Sequence, residues 1–120
     1  HSALPDDQIL CLCETCKSAF EIVHNGNERA AVLTVNTARE LGKLDQVILG
    51  TDGPAGSGVQ PLGILRMIAM LSAFGNVPAA EAFCFGTGNT ARQRNLDVGL
   101  IEEEFSADFV LLDQSILFAK

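Results

Sequence analysis

One carboxylate, Asp52, stands where a short apolar run meets a glycine-rich loop: Val47-Ile48-Leu49, then Gly50-Thr51-Asp52-Gly53-Pro54-Ala55-Gly56-Ser57-Gly58. A buried strand followed by such a loop and then a helix places Asp52 at the carboxyl end of the strand, where α/β folds collect ligands and catalysis. A carboxylate left at such a tip is a candidate site residue. The plainer alternative is an Asp that only shapes the turn ahead of Gly53-Pro54, since Asp, Gly and Pro all favour turns. Gly53, Gly56 and Gly58 leave backbone amides accessible to a substrate carbonyl or carboxylate, or else serve as a simple connector. No Gly-Lys-Ser/Thr follows, so the loop is no Walker A phosphate cradle.

Two further groups carry chemistry-bearing side chains. His24 follows another apolar run, residues 19–23, and so falls at a second strand end. It is a candidate substrate contact, weighed against a solvated loop histidine. Cys11, Cys13 and Cys16, with Cys84 distant in the chain, invite a zinc reading. On a helix, however, positions 11 and 13 point about 200° apart, which favours plain thiols packed as small apolar side chains. Glu102-Glu103-Glu104 reads as a solvated turn, and Arg92 and Arg94 as surface cations.

The elements that must position these groups follow from periodicity and punctuation. Pro5-Asp6-Asp7 starts a helix running to about residue 17. A strand spans residues 19–23. Asn27 caps a helix over residues 28–41, whose stripe Ala31, Val35, Ala38, Leu41 stays on one face, and Gly42 ends it. A strand over residues 46–49 is apolar enough to be covered on both sides. Pro61 and Pro78 open two more helices, ending near Gly75 and Gly86, and Asn89 caps a last helical turn through Arg94. Residues 99–101 and 107–112 then read as strands, with Asp113 turning the chain. Two parallel β/α units followed by part of a small β element are an incomplete sheet, because parallel strands need more neighbours.

Bulk composition narrows the class. The chain has 120 residues, 48% of them hydrophobic, enough for one globular core. A net charge of −7 with no basic stripe argues against nucleic acid as a partner. No apolar run approaches the roughly 18–20 residues of a membrane span. The N-terminal residues lack the basic start and apolar centre of a signal peptide, so reduced thiols and a cytoplasmic location are expected. No role is assigned to His1.

Four stretches in order resemble the amidohydrolase superfamily, and within it the enamidase-like enzymes. They are Val47-Ile48-Leu49-Gly50-Thr51-Asp52-Gly53-Pro54, Pro61-Leu62-Gly63-Ile64-Leu65-Arg66, Thr87-Gly88-Asn89-Thr90-Ala91, and Gly99-Leu100-Ile101 with Ala107-Asp108-Phe109-Val110-Leu111-Leu112-Asp113. The resemblance implies the C-terminal segment of a (β/α)8 (TIM-type) barrel: its last strands and helices over residues 1–95, then the start of a returning β-sandwich over residues 96–120. It implies that Asp52 binds metal and relays a proton. The parent enzyme would then be a divalent-metal hydrolase, zinc or iron, of the C–N bond of a cyclic amide or enamide, with a small molecule as substrate. The His-x-His motif, the metal-bridging residue and the histidines of earlier strands have no counterpart here. The chain is therefore expected to be inactive alone, to hold no metal of its own, and to self-associate into a homo-oligomer. Glu104 departs from the family pattern, which has Gly there to permit positive φ. The rival readings are a non-catalytic self-associating or partner-binding module, and a zinc-binding interaction domain built on the cysteines.

Overall fold

The computed structural model describes residues 4–54 and 58–113. Helix α1, Asp6–Thr15, starts directly after Pro5 and carries Asp6 and Asp7 in its first turn, at the positive end of the helix dipole. Its far end is closed by a residue from elsewhere in the chain. The Lys43 ammonium donates to the carbonyls of Cys13 at 2.7 Å, Glu14 at 2.9 Å and Cys16 at 3.4 Å, taking up acceptors that a helix C-terminus leaves unpaired. At the N-terminal end, Arg29 forks onto both oxygens of Asp6 at 2.8 and 2.6 Å.

Strand β1, Phe20–Val23, leads to helix α2, Glu28–Glu40. The Asn27 side chain accepts from the Ala30 amide at 3.0 Å, the expected N-cap. Gly42 at φ 68° and the bond from Lys43 N–H to Ala38 O at 2.7 Å form the closing Schellman turn. Of the anticipated stripe, Ala31, Val35 and Ala38 are buried. Leu41 is exposed because the helix stops one residue earlier and leaves it at the cap.

A 3-10 turn, Leu44–Gln46, feeds strand β2, Val47–Gly50. β1 and β2 pair in parallel with Phe20 opposite Val47 and Val23 opposite Gly50, as two successive β/α units require. Helices α3, Gly63–Phe74, α4, Ala79–Gly86, and α5, Gly88–Arg94, complete the order. Ile22, Val47 and Leu49 of the strands meet Val35 and Ala38 of α2, Met67, Ile68 and Leu71 of α3, and Phe85 of α4 in one core.

Three expectations need correction. Helix α3 begins at Gly63, not at Pro61, which lies in the preceding turn. Thr87, not Asn89, precedes α5, and Asn89 is a buried residue inside that helix. Residues 99–101 and 107–112 form no strands: a strand exists by pairing, and these segments find no strand neighbour among the described residues. Most of their apolar side chains stay in water, with Leu111 at 99% exposure and Ile101 at 89%, whereas Leu100 packs against Gly88.

Candidate active site

The sheet brings two of the anticipated residues to one rim. The His24 N–H donates to Gly50 O at 2.9 Å, continuing the ladder past the end of β1, and Asn25 Nδ2 donates to Thr51 O at 3.3 Å. The tips of β1 and β2 are thereby tied, with Asp52 two residues beyond the last paired position. Asp52 is exposed and sits at φ 54°, a left-handed conformation that Asp adopts more readily than most non-glycine residues. That backbone turn ends the strand and leaves the carboxylate at its tip.

Gly53 donates its N–H to the Thr51 hydroxyl at 3.3 Å, so this amide already has an acceptor. Gly58 is exposed at φ 81°, in open space. Gly56 lies outside the described residues, as does His1. The His24 ring faces the start of α3: a Cβ built on Gly63 would stand 3.6 Å from its Cγ. His24, Gln60, Pro61, Leu62, Gly63 and Arg66 line a cavity of about 320 Å³ on this side. Asp52 does not line it. His24 and Asp52 therefore share a rim without sharing a cavity. The His24 Nδ1 and Asn25 Oδ1 are 3.4 Å apart, which steers the ring.

The metal question turns on donor number. Among the described residues, no three His, Cys, Asp or Glu side chains gather as ligands, whereas a protein site for a catalytic divalent ion draws on about three. The described residues thus do not fit a complete metal centre. The cysteines separate as helix geometry dictates: Cys13 is buried and Cys11 exposed, with Cys16 half-buried and Cys84 exposed. Packing as a buried thiol holds for Cys13 alone. Burial pushes its thiol pKa up, partly offset by the Lys43 charge.

Two polar residues have roles that the sequence does not disclose. Glu21 projects from β1 over Gly50, where its carboxylate oxygen would lie 2.5 Å from any added Cβ, and it pairs with Arg94 at 3.5 Å. Its signal was a charge within a strand of otherwise apolar residues. Asn89 donates both N–H groups of its amide, to Leu44 O at 2.9 Å and Val47 O at 3.0 Å. Its signal is an Asn between Gly88 and Thr90, which the sequence pattern assigns to a cap.

Parallel strands joined through a helix, with polar groups at their C-terminal ends, define an α/β protein of the β/α-repeat class. The model of the Amidohydrolase family matches residues 12–119. Enamidase from Eubacterium barkeri is 37% identical over 95 residues, which cover 79% of this chain and 25% of that enzyme. A crystal structure of enamidase, described as a new member of the amidohydrolase superfamily, superposes with a TM-score of 0.86 at 33% identity, covering 89% of this chain and 28% of that one. The chain belongs to the amidohydrolase family. It is enamidase-like in sequence and in structure, and it spans about a quarter of the length of the curated relative it matches.

Proposed function

We propose that this chain is part of a metal-dependent amidohydrolase that cleaves the C–N bond of a cyclic amide or enamide, with Asp52 as the carboxylate it contributes to the reacting centre. The observation that carries this reading is the placement of Asp52: an exposed acid at the tip of a parallel strand, in a left-handed conformation, within a family of hydrolases. Residues 1–95 are read here as the barrel portion of that enzyme. The other ligands for zinc or iron belong to the remainder of the complete enzyme. Within the chain, an Asp52 oxygen accepts a proton as water attacks and passes it to the departing nitrogen. His24, Gly53 and Gly58 border the space where a small substrate would lie.

In the complete enzyme, Asp52→Asn keeps the shape and removes the base. Turnover of a cyclic amide should fall about 100-fold or more. The 120-residue chain alone should be silent and retain no stoichiometric metal after dialysis. Robust metal-dependent turnover by the purified chain, lost in Asp52→Asn, would overturn its role as a part.

A second reading, a non-catalytic module that self-associates or binds a partner, is favoured by the exposed apolar side chains of residues 109–111. Concentration-dependent sedimentation with no effect of Asp52→Asn on any hydrolysis would support it.

A further inference from the structure

We propose that Asn89 is a positioning residue for the strand tip that bears Asp52, and that α5 acts as a latch on both strands. Asn89 is 6% exposed, and its amide nitrogen spends both hydrogens on carbonyls at the start of β2 and the turn before it. A carboxylate or an alkyl side chain cannot supply two such donors. Five positions further along the same helix, Arg94 reaches Glu21 on β1. Glu21 in turn lies over Gly50, two residues before Asp52. One short helix therefore grips β2 at its entry and β1 through its charged residue. The ladder bond from His24 N–H to Gly50 O closes the pair at the other end.

The neighbouring residues make the latch stiff. The Thr87 and Thr90 hydroxyls donate to Phe83 O and Phe85 O, each at 2.8 Å, fixing α5 to α4. Gly88 admits Leu100, whose Cδ2 would lie 2.7 Å from an added Cβ. The Thr-Gly-Asn-Thr run thus holds the entry of β2 against α4. Displacement of that entry shifts the whole four-residue strand, because a paired strand slides as a unit.

The consequence for chemistry rests on the reading of Asp52 given above, whereas the test does not. Amide exchange is compared at His24, whose N–H reports the β1–β2 closure beside the site, and at Val35, in the buried row of α2. Asn89→Asp is nearly isosteric but sets oxygen against two carbonyls. At about pH 7 it should accelerate exchange at His24 about tenfold more than at Val35. That excess should shrink at about pH 5, where a buried carboxyl regains its proton and one donor. Arg94→Gln, on the surface, should fold and give a smaller excess of about two- to threefold. Equal acceleration at both amides would reduce Asn89 to general stability and overturn the proposal. So would an unfolded Asn89→Asp together with an Arg94→Gln that leaves His24 unchanged. Exchange is read without turnover, so its failure is distinct from a failure of Asp52→Asn to lower hydrolysis.

Discussion

Residues 20–50 and residues 99–113 contain comparably apolar segments, yet only the first contains strands. Val47-Ile48-Leu49 pairs with β1 on one edge and is covered by helices, so its residues are 0–5% exposed. Phe109-Val110-Leu111 has no strand partner among the described residues and is 65–99% exposed. The two segments differ in company, not in propensity. β structure is stabilised by cross-strand neighbours and by burial more than by the residue's own preference.

Core truncation should show the difference most strongly. Phe85, 1% exposed, seals the strands from α4, and Phe85→Ala should cost about 3–5 kcal/mol in denaturant unfolding. A loss below about 1 kcal/mol would mean that the strand layer is as loosely held as the tail.

Next comes a turn within the second region. Glu104 occupies φ 69°, so the position where the family pattern has Gly does demand a left-handed residue. Glu104→Gly should raise stability by about 0.5–1 kcal/mol by relieving that backbone. A lower unfolding midpoint would show that the glutamate side chain contributes something the geometry does not reveal.

Leu111→Ala should change monomer stability by less than about 0.5 kcal/mol, since the side chain is 99% exposed. Sedimentation sharpens the same contrast: Val110→Ser with Leu111→Ser should weaken self-association if this segment supplies the contact. Unchanged association would place the contact elsewhere, and a large stability loss from Leu111→Ala would show that the tail is packed.

The smallest effect concerns acid. The two hydrogen bonds from Arg29 hold the Asp6 carboxyl below the usual carboxylate range. A folded pKa lowered in this way stabilises the folded state above the ordinary value of about 4, and the contribution is lost as pH falls through the lower folded value. The N-terminal turn of α1 should therefore loosen in strong acid, and Arg29→Gln should shift that loosening to higher pH in a titration followed by NMR.

Much of the fold was legible because its signals are local. Asn27, Gly42, Pro78 and the 31-35-38 spacing act within one turn of themselves, and helices end where such residues stand. The site was legible in part: Asp52 and His24 share a rim because both end strands, which a strand–loop pattern discloses. Asn89 and Glu21 were not legible in their roles, since their partners are 42 to 73 positions away in the chain. The absent strands in the tail were misjudged because alternation and apolarity describe a segment's willingness to pair, not the presence of a mate.

The left-handed backbone at Asp52 has an evolutionary consequence. Glycine would adopt that conformation at lower free energy, so Asp52→Gly is a stabilising substitution that also deletes the carboxylate. A laboratory selection for thermal resistance alone would drift toward glycine at this position and erase the carboxylate proposed above for the reacting centre.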